Sequence, residues 1–156
     1  MEQIVRNFRK RIGGIGMREI KFKLWKKDTK QFFTDFYSNE ISLMPDGKVY
    51  WMGDDETDNF RLLQYIGLKD KNGIEIYEGD IVKDIYGNIA IIIWVKDLGA
   101  YAAIPKEYYP AKNFPPLYQE LFDKYGVDHF FGNNPPGEFM NIIGNIFENP
   151  ELLEGE

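Results

Sequence analysis

The chain has 156 residues, a net charge of −6, 44% apolar and 16% aromatic content, and no cysteine. A chain of this length buries roughly 68–70% of its unfolded surface, so one core is within reach, and the composition is globular rather than disordered. The missing cysteine excludes disulfides, thiolate-bound zinc and thiol nucleophiles, and no apolar run approaches the ~18 residues of a membrane-spanning helix.

Charge is unevenly placed. Residues 1–16 carry Arg6, Arg9, Lys10 and Arg11 against Glu2, a net of +3, which leaves −9 on the remainder. An acidic body repels phosphate backbones, which argues against nucleic acid as a partner. The basic start is followed by no apolar h-region, so no secretory signal is read and a cytoplasmic location is expected. Met17 opens a second plausible start, MREIKFKLW, with Gly13-Gly14 two codons upstream, where a purine-rich ribosome-binding sequence would fall. The expectation is an N-terminal extension over 1–16 and a single domain over 17–153.

Glu19 to Trp25 alternates, with Ile20, Phe22 and Leu24 on one face and Lys21, Lys23 and Trp25 on the other, which predicts a strand. A polar turn at 26–30 leads to an aromatic second strand over 31–37. Pro45-Asp46-Gly47 joins a short run at 41–44 to 48–52, a second N-terminal hairpin. Gly53 to Asn59 reads as an acidic loop and Phe60 to Leu68 as a strand. Asn72-Gly73 predicts a tight type I′ hairpin, with Ile74–Tyr77 returning. Asp80–Tyr86 is a strand turned by Gly87-Asn88. The unbroken apolar run Ile89–Val95 predicts a strand buried on both faces, followed by Ala100–Ile104. Pro105–Pro116 is an excursion rich in Pro and Tyr. Leu117–Tyr125 predicts a short helix ending on Gly126, and Glu138–Phe147 a final strand. Asn149-Pro150 starts a terminal helical turn, with Asn as N-cap and Pro at N1. Strands at this spacing predict a mainly β fold, a small SH3-like barrel with N-terminal β-hairpins and one or two short C-terminal helices, its barrel core over about 60–104 plus 138–147.

Several stretches together are similar to the YopX-like family of phage and prophage proteins. They are Met17–Phe22 with Trp25, Gln64-Tyr65, Gly67–Gly73, Ile76–Val82, Ile143–Ile146 and Glu148–Leu153. Pro105–Pro136 carries none of the family's signature. The resemblance implies a cytoplasmic protein of a phage-infected or lysogenic bacterium, a self-associating β fold, and Met17 as the natural start. It implies no biochemical activity and no catalytic residues.

The chemistry-bearing constellations have simpler readings. Asp54, Asp55, Glu56 and Asp58 could be a hard-cation site, but an EF-hand glycine is missing and a solvated loop explains them. Asp70–Gly73 is a hairpin turn. His129 is the only histidine, with no G-x-S-x-G motif to serve, and reads as a packing or surface residue. Glu78 and Asp80 could be a carboxylate pair, yet Glu78-Gly79-Asp80 also reads as a turn whose acidic groups accept nearby backbone N–H. Glycine-rich phosphate-binding motifs are absent. No catalytic residue, metal ligand or cofactor is therefore assigned. Tyr101, Tyr108, Tyr109, Phe114 and Tyr118 form the candidate interaction surface, whose simplest alternative role is a secondary core over the barrel's open end. The expected function is a non-enzymatic phage or prophage accessory protein, a protein-binding, self-associating β-barrel module whose partner is a host or phage protein or a second copy, with no membrane involved. Single-stranded nucleic-acid binding is the first alternative and a carboxylate- or metal-dependent enzyme the second.

Overall fold

The computed structural model describes residues 18–96, 99–109 and 136–154. Among them eleven strands pair into three antiparallel sheets. The first contains β1 (Phe22–Lys26), β2 (Gln31–Phe33), β6 (Phe60–Lys69) and β7 (Glu75–Tyr77), in the order β2-β1-β6-β7. β3 (Ile41–Leu43), β4 (Val49–Trp51) and β5 (Asp54–Asp55) form a small second sheet. The third holds β8 (Asp80–Asp84), β9 (Ile89–Val95), β10 (Ala100–Pro105) and β11 (Met140–Asn145), in the order β10-β9-β8-β11. Helical structure among the described residues is one turn at Pro136–Phe139 and short 3-10 segments, the last at Pro150–Leu153.

The mainly β expectation is what the structure shows. The sheets curl into a half-barrel, and closure into an SH3-like barrel is not seen among the described residues. The helix expected over 117–125 lies outside them.

The predicted hairpins form, by one repeated device. At 44–48, 70–74 and 84–88 the first residue's N–H donates to the carbonyl of the fifth, and a glycine at the fourth donates back to the first (Met44/Gly47/Lys48, Asp70/Gly73/Ile74, Asp84/Gly87/Asn88). Gly47, Gly73 and Gly87 all have φ between 80° and 92°, a conformation that costs glycine little. At Asn72-Gly73 this corrects the expected type I′ turn, because only Gly73 takes positive φ. The reason is the Asp70 carboxylate, whose Oδ1 accepts the N–H of Asn72 (2.8 Å) and of Ile74 (2.9 Å) and so fixes a longer turn ending on a left-handed glycine. The second strand stops at Phe33, short of the predicted Tyr37. There Asp35 accepts the Ser38 N–H and Asn39 Nδ2 reaches back to the Asp35 carbonyl, curling the chain into a turn.

β9 carries the core. Ile91 and Ile92 are both fully buried although they point to opposite faces. Ile91 packs with Ile81, Ala102, Ile104 and Leu153, under the C-terminal 3-10 turn. Ile92 packs with Ile76, Val82 and Ala103. A third cluster, Leu24, Ile41, Val49 and Phe60, lies between the first sheet and the small one. Each such buried aliphatic side chain stabilises the fold by roughly 1.5–3 kcal/mol relative to exposure. The face of β1 predicted to be polar is covered too. Trp25 is buried against Phe32 (4.7 Å) and Phe147 (5.3 Å), and Lys23 Nζ lies 4.0 Å over the Tyr77 ring.

The turn Tyr77–Asp80 joins these parts. Glu78 N–H donates to the Gln64 carbonyl (3.0 Å), Gly79 N–H to the Ile92 carbonyl (2.7 Å), and Ile146 N–H to the Gly79 carbonyl (2.9 Å). Gly79 has φ 85°, and a Cβ there would stand 3.3 Å from the Phe147 ring. Downstream, Asn145 Oδ1 accepts the N–H groups of Phe147 and Glu148. Asn149 does not make the predicted N-cap bond. Its side chain folds back over Gly144, where no Cβ obstructs it, and accepts the Asn145 N–H at 3.4 Å.

Candidate interaction surface

The two four-stranded sheets meet near Gln64 on β6, Glu78 in the turn before β8, Trp94 on β9 and Tyr101 on β10. The β9–β10 register sets Tyr101 directly opposite Trp94. Their rings pack edge to face with centroids 5.0 Å apart, a favourable arrangement for a cross-strand aromatic pair. The Tyr101 hydroxyl reaches across the seam and donates to Gln64 Oε1 at 3.3 Å. Gln64 is itself placed by β1, opposite Phe22, and by its carbonyl's bond from Glu78 N–H.

Electrostatics distinguishes the members. Burial raises the Tyr101 hydroxyl above its usual pKa, with the nearby Glu78 charge adding to the shift and Arg18 opposing it. Tyr101 is therefore a protonated hydrogen-bond donor at neutral pH, not a base. Burial also raises the Glu78 carboxyl, with Arg61 opposing. Trp94 remains 46% exposed on a strand whose Ile91, Ile92 and Val95 are buried. The arrangement is an aromatic shelf with a half-buried carboxylate and an amide at its edge. It can hold an apolar or cationic group.

The aromatic residues expected to act together are separated. Tyr101 shares the Ile92–Ala103 side of its sheet. Tyr108 and Tyr109, turned by a 3-10 segment at 106–108, pack instead against the Ile81–Ile91–Ile104 cluster on the other side. That is the secondary-core role for those two. Phe114, Tyr118 and His129 lie outside the described residues. Trp94, Gln64 and Glu78 escaped assignment as surface residues. The only signals for them are Trp interrupting an otherwise aliphatic run and the place of Gln64 and Glu78 in the family's signature.

Asp80 and Glu78 do not behave as an acid–base pair. Asp80 is buried, accepts the Tyr77 N–H at 2.8 Å, and is pushed up to about 6, chiefly by burial, with Lys23 and the Tyr77 bond opposing. Both carboxyls are thus raised, whereas an acid–base pair needs environments that drive its members apart. The turn reading holds for Asp80.

The acidic stretch after Gly53 is partly structured. Asp54 and Asp55 pair with Trp51 and Tyr50 as β5. Asp55 accepts the N–H (3.0 Å) and hydroxyl (2.6 Å) of Thr57, which holds its carboxyl below the usual range. Glu56 and Asp28 both accept from Asn59 Nδ2 at 3.0 Å, and Asp28 is paired to the buried Lys26. Asp55, Glu56, Thr57, Asp58, Asn59 and Lys48 line a cleft of about 420 Å³. Among the described residues no group of three or more His, Asp or Glu is placed to hold a metal ion, and no helix is long and apolar enough to cross a membrane.

Fold and surface together define an antiparallel β protein whose two main sheets meet at an aromatic, acidic seam. The chain belongs to the YopX family: the match, to a family described as YopX protein, runs over residues 21–154. Among solved structures it is similar to the crystal structure of protein EF1440 from Enterococcus faecalis, at 23% identity and a TM-score of 0.49, covering 88% of this chain and 100% of that one. No curated protein matches it.

Proposed function

We propose that this YopX protein is a non-enzymatic accessory protein of a phage or prophage. It acts in the cytoplasm of the bacterial host as a protein-binding, self-associating module, and the Trp94–Tyr101 seam is its contact face. The observation that supports this most is Trp94. A large aromatic ring is held nearly half exposed by a buried sheet and fixed edge to face by Tyr101. Rigid aromatic residues of this kind are enriched at protein interfaces and among the residues that dominate their energetics. Glu78 in the same patch sets a phosphate backbone at a disadvantage, which favours protein over single-stranded nucleic acid.

The test is affinity capture from phage-infected host lysate with the tagged full chain, in parallel with Trp94→Ala, and sedimentation velocity of both. The expected result is a stoichiometric protein partner, or a dimer or higher oligomer, that is lost in the variant. A monomer that captures no protein at any stage of infection, or capture indifferent to Trp94, would refute the reading.

A further inference from the structure

Glu78 is the unusual member of the seam. Its carboxylate is half-buried, and among the described residues it accepts no hydrogen bond and enters no ion pair. Other acidic groups here are held by donors: Asp70 by three N–H groups, Asp80 by Tyr77, and Asp84 by Tyr86 and Asn88. Among the described residues, the cations with electrostatic reach into the patch are Arg61, toward Glu78, and Arg18, toward Tyr101. Both are exposed, and neither is paired with Glu78.

We propose that Glu78, Trp94, Tyr101 and Gln64 form a receptor for an arginine side chain presented by a partner protein. This names the partner chemistry of the contact face and rests on the protein-binding reading. A guanidinium is planar and weakly hydrated. It stacks on an indole or phenol face and directs a fork of N–H donors at a carboxylate in its own plane. Trp94 offers a ring that is nearly half exposed, and Glu78 offers a carboxylate that takes no donor among the described residues. Gln64 Oε1, which takes one hydrogen bond from Tyr101, keeps a second lone pair for an N–H. Burial destabilises the free Glu78 carboxylate, so an arriving cation gains more there than at a solvated one. An ammonium lacks the planar fork, so lysine is the weaker ligand.

Random peptides displayed on phage and selected against the immobilised full chain supply the probe, and fluorescence polarisation with the enriched synthetic peptide supplies the number. The enriched peptides should share one arginine. Changing that arginine to glutamine, or the chain by Glu78→Gln, should each weaken binding at least about tenfold, and doing both should cost little more than either alone. Glu78→Gln keeps the shape and the backbone N–H of the turn, and a melting temperature no lower than the parent's confirms that it folds. Uncharged enriched peptides, equal binding to Glu78→Gln, or no enrichment at all would each overturn the proposal. If a peptide binds Glu78→Gln normally but is lost on Trp94→Ala, the arginine receptor falls and protein binding at the seam survives. Indifference to both substitutions removes both.

Discussion

Asp80→Asn should make the protein more stable at neutral pH, in a pH-dependent way that Asp80 alone accounts for. The carboxyl is buried and its pKa rises from an ordinary 3.8 to about 6 in the folded chain. A folded state with the higher pKa binds the proton more tightly than the unfolded chain. Its contribution to stability is therefore fully present below about pH 4 and lost as pH rises through about 6. The whole gap, about 2.2 pH units at 1.36 kcal/mol each, is about 3 kcal/mol, and roughly half of it opens between pH 5 and pH 8. Asparagine cannot ionise, and its Oδ1 can still accept the Tyr77 N–H that Asp80 holds at 2.8 Å. The weaker neutral hydrogen bond and a new amide to satisfy offset about 1 kcal/mol of the gain. Urea unfolding of parent and variant between pH 5 and pH 8 measures the difference directly, because all other titrations cancel. The variant's advantage should grow by about 1.4 kcal/mol across that range. A difference flat with pH, or one that moves against the variant as pH rises, would show that Asp80 is already well solvated or needed in its charged form.

Three other outcomes follow from the packing. Asp70→Ala removes the acceptor for the N–H groups of Asn72, Ile74 and Ile142 and should cost about 3 kcal/mol in urea unfolding, with Asp70→Asn losing less. Gly144→Ala would place a Cβ 2.6 Å from Asn149 Oδ1. It should lower stability by about 1–3 kcal/mol, and Asn149→Gly in the same chain should restore part of that, a coupling visible in a double-mutant cycle. Ile91→Ala opens a cavity in the cluster beneath the C-terminal turn and should cost about 2–5 kcal/mol by thermal or urea unfolding.

Local features were legible in the sequence for local reasons. Gly47, Gly73 and Gly87 mark their turns because left-handed backbone selects glycine, and the unbroken run of β9 predicts the double burial of Ile91 and Ile92. The exact turn at Asn72-Gly73 was not legible, since it depends on where the Asp70 side chain goes. The same holds for Asn149, whose side chain prefers the space over Gly144 to capping its own helix. Non-local pairing is invisible to periodicity: β1 lies beside β6, and β8 beside β11. The seam follows from that pairing. Trp94 and Tyr101 meet by register, and Gln64 and Glu78 are added only when the first sheet is in place against the third. The sequence cluster of tyrosines misled because a 3-10 turn after Pro105 sends Tyr108 and Tyr109 to the opposite side.

The four-residue turn at Tyr77–Asp80 has a bearing on how the chain reaches and leaves its native state. Its backbone closes on Gln64, Ile92 and Ile146, so neither flanking hairpin can complete it alone. Such long-range closures form late and slow folding, since the intervening chain must be ordered before they contribute. They also tie the first sheet, the third sheet and the C-terminal turn into one cooperative unit. The amides of Glu78, Gly79 and Ile146 should then exchange with solvent only when the whole molecule opens. A fragment ending before Ile146 would leave the Gly79 carbonyl without its donor, so the last residues of the family's signature complete a fold whose centre lies nearly seventy residues earlier.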